Sequence, residues 1–150
     1  MSLMMDKDAE TMGRITTRLI ITNRADQIRA EDGTISPEAV RSVTLDDVLV
    51  DTGATTLCLP RDTIAALGLR LLREAVAETA TGSTTMRIFQ DAKISLLGRE
   101  GTFECVELPE GRPPLLGVVP LEMLGAELDL QKQELRLLPM TPGQSYFMLY

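Results

Sequence analysis

Three apolar residues in succession, Val48-Leu49-Val50, run straight into Asp51-Thr52-Gly53-Ala54-Thr55-Thr56. A short apolar run of this kind predicts a strand covered on both faces, and the polar residues and glycine after it predict a tight loop at the strand's end. Asp51 is therefore expected at the mouth of a core, where desolvation and neighbouring groups act on a carboxylate. Leu115-Leu116-Gly117-Val118-Val119 reads as a second doubly apolar strand. One helical turn over residues 120–124 follows it, and Gly125 stops that turn.

The other segments read mostly as short strands. Residues 14–22 alternate, with Ile15, Thr17, Leu19 and Ile21 on one face. Residues 23–37 are charged, and Asp32-Gly33 is a hairpin-type turn signal. Residues 40–45 read as a strand, and Asp46-Asp47 as a turn or kink with both acids in solvent. Residues 56–59 form a further strand. Pro60 then opens a helix through Leu67, with Ile64 and Leu67 facing the core and Gly68 as the stop. Residues 69–79 are strand-like. The clearest alternation runs over 85–97, where Met86, Ile88, Ala92, Ile94 and Leu96 share one face and Arg87, Asp91, Lys93 and Ser95 the other. Thr81-Gly82-Ser83 marks the turn of a hairpin that arches over residues 78–86. A strand at 102–108, a rigid loop at 109–114 and a hairpin about Gln131-Lys132-Gln133 complete the pattern. The expectation is a mainly β domain with one or two short helices, spanning 14–150 after a flexible N-terminus at 1–13.

At 150 residues the chain is long enough for one domain with a real core. A net charge of −7 argues against a nucleic-acid surface, which is normally basic. No run is long enough to cross a membrane and the charged N-terminus is unlike a signal peptide, so the cytoplasm is the expected location. The chain has no histidine, which excludes Ser-His-Asp and Cys-His catalysis and His-containing zinc sites. Carboxylates are the strongest catalytic candidates left, and no metal or cofactor is expected. Cys58 and Cys105 lie in apolar strand-like surroundings and read as two buried free thiols. Of the chain's aromatic residues, Tyr146, Phe147 and Tyr150 crowd into the segment 144–150. So much apolar weight is expected to dock, either on its own domain or as a strand at a subunit interface.

A strand ending in Asp51-Thr52-Gly53-Ala54, with a later Leu115-Leu116-Gly117 and a short helix, resembles the retroviral-type aspartic proteases, or retropepsins. The form that continues to Thr55 and then Leu59-Pro60 is similar to the bacterial and archaeal single-domain branch, and the resemblance spans residues 48–138. It implies a closed acid-protease (retropepsin-like) barrel, active as a two-fold homodimer in which each subunit gives one Asp-Thr-Gly loop to a shared site. It implies that Asp51 is the catalytic aspartate and that Thr52 locks the two loops together. Gly53 then admits the substrate backbone, and Ala54 flanks it. The resemblance makes Thr81, Gly82 and Ser83 the flap, and has Leu115, Leu116 and Gly117 thread beside the catalytic loop and support it. Two features depart from the viral pattern. The acid after the loop and the arginine after the second motif are replaced by Thr55 or Thr56 and by Val118, so both partners of an ion pair are missing together. The flap has one glycine, Gly82, and is expected to be stiffer than a glycine-rich one.

The chemistry fits these residue types. Two carboxylates in contact cannot both ionise readily, so the pair holds an acid and a base side by side. The chain carries one Asp-Thr-Gly. Isologous pairing of two copies supplies the second, and a monomer is expected to be inert. The expected function is an aspartic endopeptidase that hydrolyses extended peptide or protein substrates with a water activated by the Asp51 pair. The alternative is a non-catalytic relative that keeps the fold as a dimerisation or peptide-binding module. An intact Asp51 favours the enzyme, because a scaffold has no need of the carboxylate. Asp-Thr-Gly is also ordinary turn chemistry, but the apolar strand before it and Leu-Leu-Gly after it speak against that reading. Gly117 reads as a close-packing strand glycine under either function.

Overall fold

Residues 14–139, which the computed structural model describes, alternate between short strands and shorter helices. The flexible N-terminus expected at 1–13 and the aromatic segment 144–150 lie outside the described residues. In order the elements are β1 (Thr16–Asn23), α1 (Arg24–Glu31), a 3-10 turn (Pro37–Ala39), β2 (Ser42–Val50), β3 (Leu57–Pro60), α2 (Arg61–Leu67), β4 (Arg70–Thr79) and β5 (Gly82–Leu96). Then come β6 (Arg99–Leu108), β7 (Leu115–Leu116), α3 (Val118–Met123), β8 (Ala126–Asp129) and β9 (Glu134–Leu137).

The main sheet runs β1-β2-β7-β3-β6-β5-β4, and β5 also pairs back onto β1 from Ile20 opposite Ser95 to Asn23 opposite Ala92. Six strands therefore close into a barrel, as the retropepsin resemblance implies, and β4 stands outside the ring, paired to β5. Closure removes the free edges of these six strands and turns one face of each inward. Leu19, Ile21, Leu57, Leu59, Leu67, Ile94, Leu96 and Leu116 are completely buried there. Each such side chain contributes about 1.5–3 kcal/mol by leaving water. The short strand β7 lies between β2 and β3, parallel to the first and antiparallel to the second. Its residues Leu115 and Leu116 are both buried, which accounts for a strand without alternation.

Four expectations are corrected by the structure. Residues 24–31 form a helix rather than a charged connection. The Asn23 side chain caps it by accepting from the Asp26 amide at 3.0 Å. Asp32 and the left-handed Gly33 (φ 83°) end it, so Asp32-Gly33 is a helix terminus and not a hairpin turn. The helix lacks an apolar stripe, and its buried residue is Asp26. Secondly, Asp46-Asp47 does not separate two strands. Thr17 faces Val48 while Leu19 faces Leu45, so the two acids form a β-bulge within one continuous strand. Both are exposed, as expected.

Thirdly, the alternation over 85–97 is interrupted. Phe89 faces Cys105 while Ala92 faces Phe103, so Gln90 and Asp91 oppose a single residue of β6, with Asp91 at φ 66°. This bulge reverses the parity, so Phe89 enters the core with Ala92, Ile94 and Leu96 while Ile88 is buried outside that cluster. Fourthly, the second apolar run is strand only at Leu115 and Leu116. Gly117 caps α3, which begins at Val118 rather than at Pro120. The α2 reading holds, with Ile64 and Leu67 buried and Gly68 in the left-handed conformation at its end.

Candidate active site

The loop from Asp51 to Thr56 leaves β2, turns outward and returns as β3. Its geometry is set by backbone hydrogen bonds to β7 and to the start of α3. The Asp51 amide donates to the Leu116 carbonyl at 3.0 Å, extending the β2–β7 pairing by one residue. The Ala54 amide donates back to the Asp51 carbonyl at 3.1 Å, closing the turn. Val118 and Val119 carry the first amides of α3, which have no partner within the helix. They donate to the Ala54 and Thr55 carbonyls, each at 2.9 Å. The loop thus caps the helix, and the helix holds the loop.

Gly117 lies in the middle of this exchange. A β-carbon there would come within 2.5 Å of the Thr56 carbonyl oxygen and 2.6 Å of the Ala54 carbonyl oxygen. Only a residue without a side chain permits this approach. Leu115, Leu116 and Gly117 thus thread beside the Asp51 loop. At the exit, the Thr56 hydroxyl donates to the Glu104 carbonyl of β6 at 3.1 Å.

Asp51 is 8% exposed. Its Oδ1 accepts from the Gly53 amide at 2.9 Å. Its Oδ2 is buried with no partner, and is the one side-chain atom in that condition among the described residues. Buried polar oxygens are nearly always hydrogen-bonded, so this atom marks a place where another group belongs. Thr52 and Gly53, next in the chain, are exposed.

Register identifies what surrounds the carboxylate. Val50, Leu116, Leu57, Cys105 and Phe89 are lateral neighbours across five strands and all lie in the core. The next row is Leu49, Leu115, Cys58, Val106 and Ile88. Adjacent strand residues point to opposite faces, so this second row lies on the outer side of the barrel. Asp51, two residues beyond Leu49, continues that side. The result is an apolar strip beside the carboxylate. The sequence reading took Cys58 as a buried thiol and Ile88 as a core-facing residue, and did not place them or Val106 beside Asp51. The signal for Cys58 was present, since the alternation Leu57-Cys58-Leu59 sets it opposite two core leucines. Burial, and after it the Asp51 charge, pushes the Cys58 thiol up to about 11. Burial pushes Cys105 up to about 12. Both cysteines are free, as the sequence implied.

Thr81, Gly82 and Ser83 sit apart from this loop in sequence and in sheet order, at the tip of the two-stranded arm formed by β4 and β5. The turn itself is Ala80-Thr81, with Gly82 already paired to Thr79 and Ser83 to Glu78. Gly82 takes φ 124°, a conformation that side chains resist. The Ser83 hydroxyl bonds the Glu78 carboxylate at 3.0 Å across the arm.

A closed β barrel with an Asp-Thr-Gly loop at a buried strand end, threaded by a Leu-Leu-Gly segment, defines the class. The sequence model of the family described as aspartyl protease matches residues 39–127, more than half of the chain. The chain belongs to the aspartyl protease family, and it is an aspartic-type endopeptidase built on a closed β barrel. Among solved structures it is similar to the EIAV protease in complex with an inhibitor, at 22% identity and a TM-score of 0.48, over 78% of this chain and 93% of that one. It is also similar to the simian foamy virus (mac) protease, at 22% identity and a TM-score of 0.42, over 52% and 82% of the two chains. No curated protein matches the chain.

Proposed function

We propose that two copies of this chain pair about a two-fold axis and that their Asp51 carboxylates meet to form the peptide-cleaving dyad. The observation that carries this reading is the buried Asp51 Oδ2 with no partner in its own chain, beside an Oδ1 already held by Gly53. A second carboxylate at that position shares one proton with the first, because two adjacent charges in a desolvated site are strongly disfavoured. The ionised member takes a proton from a water, which attacks the scissile carbonyl. The protonated member donates to the carbonyl oxygen, and a proton then passes to the leaving nitrogen.

In this reading the exposed Thr52 locks the two loops, Gly53 and Ala54 border the substrate backbone, and Thr81, Gly82 and Ser83 close over it as a flap. Leu115, Leu116 and Gly117 keep the loop in place. The strip of Leu49, Leu115, Cys58, Val106 and Ile88 receives apolar side chains of an extended peptide. The chain from residue 14 to 150 acts as one unit in the cytoplasm, a location consistent with two unbridged cysteines.

A peptide-library cleavage assay from mildly acidic to neutral pH, run with wild type and Asp51→Asn, tests the assignment. Cleavage by wild type and none by the variant is expected. Equal activity in both would refute the role of Asp51, and a confirmed dimer that cuts nothing would leave the fold as a peptide-binding module.

A further inference from the structure

The apolar strip beside Asp51 ends in a charge. Register carries its row one strand further, from Ile88 of β5 to Arg73 of β4. Residues paired directly across strands share a face, so Arg73 lies on the same outer side as Leu49, Leu115, Cys58, Val106 and Ile88. The adjacent row, two residues along each strand, holds Asp51, Gly117, Thr56 and Glu104. Contacts follow that order, since Gly117 abuts the Thr56 backbone and the Thr56 hydroxyl donates to the Glu104 carbonyl. Arg73 reaches into this row, where its Nη1 donates to Glu104 Oε1 at 2.9 Å. One ion pair, spanning from the arm to the barrel across β5, therefore closes the far end of the strip.

This pair is built to exchange partners. Its side chains are 53% and 48% exposed, so their mutual attraction is screened and contributes little to stability. The contact uses one guanidinium nitrogen. Nε and Nη2 have no partner among the described residues. They form an edge of the fork that fits a carboxylate with two parallel hydrogen bonds, a stronger grip than the single bond to Glu104. The position is also within reach of a substrate. Glu104 lies three strand spacings from Asp51, or about 14 Å, which an extended peptide covers in about four residues.

We propose that Arg73 selects substrates carrying an acidic side chain about four residues from the cleaved bond. Glu104 holds the guanidinium in place until the substrate carboxylate takes it over. Resting on the Asp51 dyad proposed above, this makes the preferred substrate an apolar run flanked by Asp or Glu. A lysine at the same place meets Arg73 with like charge. Because Arg73 belongs to β4, an acid gripped there also ties the peptide to the arm.

Peptides with one fixed apolar core and Glu, Gln or Lys about four residues from its centre are the probe. Cleavage by wild type is measured as kcat/KM with the cut mapped by mass spectrometry, and binding to Asp51→Asn is measured as Kd by fluorescence anisotropy. Glu should exceed Gln by about tenfold in both, the worth of a charge-assisted hydrogen bond, with Lys the poorest. Arg73→Gln should equalise the Glu and Gln peptides. Glu104→Gln should widen the preference for Glu, because it removes the competing carboxylate. A latch with a structural role alone would instead make both variants weaken all three peptides alike. Arg18→Gln, which breaks an exposed pair with Asp46 at the β1–β2 bulge, should keep the preference. Equal handling of Glu and Gln by wild type, or a preference for Lys, overturns the proposal and leaves the Asp51 dyad standing. Tighter binding of Glu without cleavage upholds the proposal and removes the dyad instead. Neither binding nor cleavage of any peptide overturns both.

Discussion

Gly117 and Thr56 approach each other so closely that a β-carbon on the glycine would lie 2.5 Å from the threonine carbonyl oxygen and 2.6 Å from its amide nitrogen. The φ of Gly117 is −91°, an ordinary value for any residue, so the requirement is for space rather than for conformation. Its neighbours are backbone atoms and cannot rotate aside. Gly117→Ala is therefore expected to push the Asp51 loop off β7, at a cost of about 1–3 kcal/mol in stability. Cleavage should fall further than stability accounts for. Urea unfolding and peptide hydrolysis measured on the same preparation check this, and an unchanged variant would mean that the loop can shift freely.

A shared dyad has a stoichiometric signature. If each active site needs Asp51 from both copies, hybrids of wild type and Asp51→Asn are dead. An equal mixture left to exchange then retains about one quarter of wild-type activity, against about one half for independent sites. A titration of variant into wild type at constant total protein distinguishes the two curves. Asn retains the oxygen that accepts from Gly53 and removes a buried charge, so the variant should be no less stable than wild type.

Cys58 reports on Asp51. Its thiol is pushed up to about 11, first by burial and then by the Asp51 charge, so at neutral pH it is almost wholly protonated and reacts slowly. Removing the charge lowers the thiol value and increases the thiolate fraction. Alkylation of Cys58 should therefore be faster in Asp51→Asn than in wild type, with the pH–rate curve displaced to lower pH. Burial is the larger cause, so the displacement should be partial. Cys105, pushed to about 12, should stay unreactive in both proteins.

Much of the site could be read before the fold was known, because it depends on local chemistry. Val48 and Val50 are apolar because they are buried, half-buried Leu49 lies in the outer strip, and Asp51-Thr52-Gly53 is a turn as well as a site. Gly117 is a glycine because backbone occupies the space where a side chain would lie. What escaped was non-local. Whether β5 pairs with β1 depends on how residues far apart in the chain meet, and no periodicity encodes it. The bulge at Gln90 and Asp91 shifts the parity of one strand by a single residue, which changes Ile88 and Phe89 without altering composition. Helix α1 escaped for the opposite reason. It buries Asp26 instead of an apolar stripe, so its moment is absent, although its capping residue Asn23 and its terminating Gly33 were both visible.

Asp26 should govern acid stability. The Arg41 hydrogen bond, foremost among its neighbours, holds the carboxyl below the ordinary value of 3.8. A lowered folded value means that the interaction is at full strength above the unfolded value and is lost as pH falls through the folded one. Asp26→Asn should destabilise by about 1–3 kcal/mol near neutrality, less than a broken, fully buried pair because Arg41 is half exposed. The gap between the two proteins should persist down to about pH 4 and then close. Thermal melts across pH 2–7 (roughly the span of carboxylate titration) measure it, and a gap that widens in acid would contradict the sign.

The aromatic segment 144–150 is proposed to strengthen pairing between copies. Deleting it should shift the monomer–dimer equilibrium toward monomer by sedimentation at low concentration, with loss of cleavage in parallel. A truncated chain that remains dimeric and active at the same dilution would assign the segment no part in the interface.

The two residues of β7 lie between β2 and β3, yet they are synthesised long after both. Until Leu115 and Leu116 arrive, the Asp51 amide lacks the Leu116 carbonyl that accepts from it, and the Ala54 and Thr55 carbonyls have no helix to cap. A chain still emerging from the ribosome therefore carries the aspartate without the frame that aims it. This long-range closure delays the formation of the site relative to the local hairpins. The order in which the sheet is assembled thus places completion of the Asp51 loop after the arrival of β7 and α3.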